Sequence, residues 1–211
     1  MAYKRLFIAC VFFAFRAMPL FPAECTSTPT HEINLYSGSN TSLLSPDRQW
    51  KLVTVGPNSE GKAALYILNT SSSKRWTFGW IERDGTAFWS YDSKRLFLRD
   101  EYAADDTRIR VFEVTGRIPK EIEGLNGRIQ QAIFSHIPSN KTTQWLYFPK
   151  VCFAADDSST IVLVADAPLV PKRESGGGKP FRLRLTVNLT TLQIVTTNNV
   201  EQRDDSTENP S

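Results

Sequence analysis

Three features of the sequence predict an all-β fold built from a repeated antiparallel unit. Short β-branched and aromatic runs alternate with Gly, Pro, Asn and Asp turns over about residues 42–117 and again over 145–196. An Asp-led turn followed by an apolar strand recurs at Asp47, Asp92 and Asp157. A single stretch, 118–138, carries apolar residues at helical spacing instead. The chain has 211 residues, 41% of them hydrophobic and 22% charged, enough for one or two domains with a real core and unlike a disordered or collagen-like chain.

Residues 1–23 read as a signal peptide: Lys4 and Arg5 precede the apolar run Leu6–Phe15, and Ala23 after Pro22 marks the expected cleavage point. The run is too short to span a bilayer as a mature helix, so the mature chain is expected to be exported, periplasmic or secreted, without a membrane span; a retained anchor and a lipoprotein at Cys25 are the alternatives. Three of the 25 basic residues leave with this segment, so 22 bases face 22 acids and the formal +3 disappears. That balance gives no electrostatic reason to expect a nucleic acid partner. Cys10 leaves as well, and Cys25 and Cys152 remain as an even pair in a compartment that permits a disulfide.

Residues 24–44 read as a linker and first strand, 45–197 as the folded domain, and 198–211 as a polar disordered tail. Trp50–Val55, Ala64–Leu68, Arg75–Phe78 and Thr86–Trp89 follow one another as strands, with turns at Gly56–Gly61, Asn69–Ser73 and Arg83–Gly85. Asp47 and Asp92 stand 45 residues apart, and Asp92 and Asp157 stand 65 apart. The surplus of 20 matches one inserted element, an amphipathic helix expected near 119–137, opened by Pro119, patterned by Ile122, Leu125, Ile129 and Ile133, and closed before Pro138. A period near 45 with four short strands is that of β-propeller blades.

Two stretches carry a resemblance. Ser45-Pro46-Asp47 with Leu65-Tyr66-Ile67-Leu68, and Trp89-Ser90-Tyr91-Asp92 with Val111-Phe112-Glu113-Val114-Thr115-Gly116, resemble the WD-like, TolB-type β-propeller repeat family of bacterial envelope proteins. The third copy keeps Asp157 but lacks the Ser-Pro. The resemblance implies antiparallel meander blades and a scaffold that binds partners. Three repeats imply an incomplete or small propeller, because such folds normally use four to eight blades. Its edges are then covered by the helix, by self-association, by a partner or by a divergent fourth blade.

Asp47, Asp92 and Asp157 are expected to staple their turns by accepting backbone N–H bonds. The acidic pairs, including those in Asp100–Thr107, lack the alternation of a calcium loop and read as solvated. His31 and His136 are the two histidines, and neither sits in a hydrolase motif. Gly176-Gly177-Gly178-Lys179 precedes Pro180 and a strand, which suits a hairpin loop better than a phosphate cradle. No catalytic residue, cofactor or metal ligand is therefore assigned. Of the five tryptophans, Trp76 and Trp80 beside Gly79 are the candidates for an exposed binding surface. The expected function is non-enzymatic binding of a protein partner, or self-association through exposed sheet edges. A carbohydrate- or small-ligand-binding domain and an accessory remnant of a propeller-bearing hydrolase are the alternatives.

Overall fold

The computed structural model describes residues 32–36, 38–103, 106–143, 146–154, 157–171 and 180–197. The signal segment, Cys25, His31, Trp145, the Gly176–Lys179 loop and the tail lie outside them. The described chain forms three antiparallel sheets and one short helix, an open array of propeller-like blades.

β1 (Glu32–Tyr36) crosses to the second sheet. β2 (Thr41–Leu44), β3 (Trp50–Val55), β4 (Ala63–Asn69) and β5 (Arg75–Ile81) form the first sheet as a meander. β6 (Asp84–Trp89), β7 (Arg95–Ala103), β8 (Asp106–Glu113) and the two-residue β9 (Lys120–Glu121) form the second, with β1 added beside β6. The helix α1 (Leu125–Phe134) follows. β10 (Lys141–Thr143) and β11 (Tyr147–Ala154) both pair with the long β12 (Asp157–Pro171), and β13 (Pro180–Asn188) and β14 (Ile194–Thr197) complete the third sheet.

The helix begins six residues later than its spacing suggests. Lys120 and Glu121 pair with Glu113 and Phe112 as the edge strand of the five-stranded second sheet. The Ile122 N–H then donates to the Val111 carbonyl, so Pro119 precedes a strand rather than a helix, and Gly124, at φ 73°, caps the start of the helix. From there Leu125, Ile129 and Ile133 form one buried stripe at four-residue spacing. Asn126 fixes the helix to the sheet, its Oδ1 accepting from the Ile109 N–H at 3.1 Å.

The second sheet is buried on both faces. Ala87, Trp89, Leu96, Leu98 and Phe112 point to the first sheet, where Trp50, Leu52, Leu65, Ile67 and Ile81 meet them. Phe88, Phe97, Ile109 and Val111 point to the third sheet and the helix, meeting Phe148, Phe153, Ile161, Leu163, Leu183 and Leu185. Phe88 stacks on Phe97 with ring centroids 4.6 Å apart. The period-2 geometry of a strand explains the run Thr86-Ala87-Phe88-Trp89: successive side chains enter different cores, so no position is left for a polar residue facing water. β3 instead alternates, with Trp50 and Leu52 inside and Lys51, Val53 and Val55 on the other face. The first sheet thus buries one face only.

Candidate binding surface and the seam that holds it

The repeat aspartates act in the turns before β3 and β7, and the two turns are built alike. Ser45 Oγ donates to Asp47 Oδ1 at 2.6 Å, and the Gln49 N–H donates to the same oxygen at 3.0 Å. Ser90 Oγ donates to Asp92 Oδ1 at 2.7 Å, and the Lys94 N–H donates to it at 3.1 Å. Each serine hydroxyl also accepts the N–H that opens the next strand, Trp50 at 3.0 Å and Arg95 at 2.9 Å. The residue after each Asp, Arg48 at φ 62° and Ser93 at φ 61°, holds the left-handed conformation that glycine favours. Asp157 opens β12, and its side chain lies outside the described residues.

These turns also join one sheet to the next. Ser93 Oγ accepts from the Asp47 N–H at 2.9 Å, and Ser158 Oγ donates to Asp92 Oδ2 at 2.6 Å. Ser93 and Ser158 occupy the same place in their repeats, one residue after the Asp. Arg95 Nη1 donates to Ser158 Oγ at 3.1 Å, while Nη2 pairs with Glu113 at 3.1 Å. Further arginines tie the middle sheet to its neighbours: Arg99 donates to the Phe148 carbonyl at 3.1 Å, and Arg110 to the Phe78 carbonyl at 2.7 Å. Arg110 is also held by Glu121 through a two-point ion pair. Sequence reasoning assigned no role to Ser93, Ser158 or these arginines. The available signal was that Arg95 and Arg99 bracket the apolar run Leu96–Leu98 and that Arg110 falls between Ile109 and Val111.

The seam positions the outward face of the first sheet. A bulge in β5 sets that face: Ala64 opposes Trp80 while Tyr66 opposes Thr77, so Phe78 and Gly79 together face Leu65. Gly79 adopts φ 94°, which a bulge of this kind uses. Before the bulge, Trp76 points inward and is half-buried, its ring 5.8 Å from that of Trp50. After it, Trp80 points outward and is 45% exposed. The two tryptophans therefore serve opposite faces and form no shared platform. Leu44 at 44% and Val55 at 49% share the outward face with Trp80. Half-buried Val53, Tyr66 and Leu68 complete it, and the Arg75 guanidinium lies 5.0 Å over the Tyr66 ring.

Elsewhere, Tyr91 in the second turn and Phe134 at the helix end are also exposed. Phe134, Ile137, Pro138 and Lys141 border an open groove of about 320 Å3. His136 lies exposed at the helix end, with Nδ1 2.9 Å from the Ala132 carbonyl oxygen. Cys152 is buried on β11 opposite Val162, its Sγ 3.8 Å from the Val162 carbonyl oxygen. Among the described residues, no three His, Cys, Asp or Glu side chains gather as a metal site, and no helix is long and apolar enough to cross a membrane.

Two carboxylates are shifted in opposite directions. Burial pushes Asp92 up, but hydrogen bonds from Ser158, Ser90 and the Lys94 N–H, with the Lys94 charge, together hold it below the ordinary value. Asp100, fully buried in β7, is pushed up by burial, and the Arg108 hydrogen bond at 2.5 Å and its charge offset this only in part. Its Oδ1 finds no hydrogen-bond partner among the described residues.

Among solved structures, the chain is similar to the crystal structure of TolB from Acinetobacter baumannii, at 14% identity, with a TM-score of 0.37, covering 76% of this chain and 32% of that one. The chain thus spans about a third of that protein, and the likeness is a distant one of fold. No family model and no curated protein matches the chain.

Arg48→Gly relieves left-handed strain and is expected to stabilise the fold by about 1 kcal/mol in denaturant titration. Ser93→Gly relieves the same strain but removes the acceptor of the Asp47 N–H, so no net gain is expected. Asp92, depressed in the folded state, contributes stability above its ordinary pKa that is lost as pH falls through its folded value. Asp100, raised in the folded state, makes stability fall as pH rises from its ordinary value through its folded one. In titrations between about pH 2 and 7, the deficit of Asp92→Asn relative to wild type is expected to shrink on acidification and that of Asp100→Asn to grow.

Proposed function

We propose that this protein is an exported, non-enzymatic, β-propeller-type module that binds a protein partner through surfaces its open array leaves uncovered. The observation that carries this reading is the outward face of the first sheet. Leu44, Val55 and Trp80 are each nearly half exposed there, on a sheet whose other face is a packed core. A contiguous apolar patch rimmed by charge is how partner-binding surfaces are built. Glycan binding has less support, because Trp76 packs against Trp50 and the Tyr66 ring beside Trp80 is half-buried under the Arg75 guanidinium. Export rests on the signal-like pattern of residues 1–23.

A photo-reactive residue placed in turn at Trp80, Tyr91 and Phe134, in cells that export the chain, tests the binding reading. A discrete crosslink to another polypeptide from at least one position is expected; none from all three overturns it. The export reading includes a Cys25–Cys152 bond in the mature chain, formed when a thiol–disulfide oxidant takes up the two electrons and the two thiols lose their protons. Intact mass of alkylated protein is expected to begin at Glu24, with no alkylation before reduction and both cysteines alkylated after it. Alkylation of either cysteine before reduction argues against the bond.

A further inference from the structure

We propose that the outward face of the first sheet docks a second copy of this chain, face to face about a two-fold axis that runs across the strands. This rests on the partner-binding reading and names the partner.

The strand register lays that face out in rows. Leu44, Lys51, Leu68 and Arg75 form the first row, and Ser42, Val53, Tyr66 and Thr77 the second. Val55, Ala64 and Trp80 form the third. Lys62 and Glu82 continue the alternation into a fourth, where the Lys62 ammonium lies 3.5 Å from both Glu82 and Glu60. One end of the face therefore carries two cations and no acid, the middle is apolar at its centre with Ser42 and Thr77 at its sides, and the other end carries two acids and one cation.

A two-fold axis across the strands turns the fourth row of one copy over the first row of the other. Lys51 and Arg75 then meet Glu82 and Glu60, while Val53 and Tyr66 lie over Val55, Ala64 and Trp80. An axis along the strands instead lays the first row over itself, with Lys51 over Leu68 and Arg75 over Leu44, so that neither cation meets an acid and the arrangement is disfavoured. The ion pairs of Lys62 are exposed and worth little within one copy, so the two glutamates lose little by engaging the other.

The size of the face sets the strength. Four strands about 4.8 Å apart and four rows about 6.8 Å apart span about 500 Å2 on each copy. The pair buries about 1,000 Å2, the lower limit for a specific interface, so the dimer dissociates on dilution.

The test is the solution mass of the purified exported chain, by sedimentation from about 1 to about 500 µM. A monomer–dimer equilibrium is expected. Arg75→Glu alone and Glu82→Lys alone are each expected to weaken it about tenfold, and the two together to restore it to within about threefold. Trp80→Ser, at an exposed position, is expected to abolish it with the far-UV spectrum unchanged. A monomer at every concentration overturns the proposal, as does a dimer indifferent to all of these changes. If the chain stays monomeric while Tyr91 or Phe134 crosslinks to a different protein, this inference fails and the binding reading stands. When the dimer forms as described, the Trp80 crosslink in cells is expected to join two copies of this chain; a Trp80 crosslink only to a different protein overturns the inference and leaves the binding reading.

Discussion

Everything in this fold leans on the second sheet having no free face. Phe88 and Phe97 stack on one side of it, and Trp89, Leu96, Leu98 and Phe112 fill the other. Each neighbouring sheet buries one face against this centre, which is why the array has two cores rather than one. Burial of a large side chain is worth roughly 1.5–3 kcal/mol, and the middle sheet places such side chains on both sides at once. The helix and β1 attach to this sheet or its cores: Leu125, Ile129 and Ile133 enter one, and Leu35 enters the other.

Apolar contact does not by itself fix how one sheet sits on the next, and here polar groups do so. The turns are linked in series from Asp47 through Ser93 and Asp92 to Ser158. Arg95, Arg99 and Arg110 reach from the middle sheet to a hydroxyl and two backbone carbonyls of its neighbours. Directional bonds of this kind select one arrangement among several of similar hydrophobic gain. The repeat therefore does two tasks: its Asp shapes a turn, and the residue after the Asp binds the turn of the preceding sheet.

Much of the fold was legible in the sequence, because turn chemistry and strand periodicity are local. The Asp-led turns, the meander of β3 to β5 and the buried stripe of the helix all follow from nearest-neighbour patterns. The helix start was not legible, since Lys120 and Glu121 become a strand only through β8, a contact that no local pattern encodes. The candidate surface was half legible. Lys51, Val53 and Val55 alternate against Trp50 and Leu52 in plain sight, but Trp76 and Trp80, four residues apart, would share a face on a regular strand. The inter-sheet roles of Ser93 and Ser158 depend on which turn lies beside which, and that is set by the packing of whole sheets.

The bulge at Gly79 has a consequence for how such a surface changes over time. On a strand, adding or removing one residue reverses the facing of everything beyond it. Gly79 is one such added residue, and the bulge absorbs it, so that Trp80 faces outward while Trp76 and Phe78 stay with the core. The character of the outward face thus depends on the bulge in β5 as well as on the side chains there. Deleting Gly79 would leave Phe78 alone opposite Leu65 and keep Trp80 outward and Ile81 inward, whereas straightening the strand with the residue retained would turn Trp80 toward the core and Ile81 toward solvent.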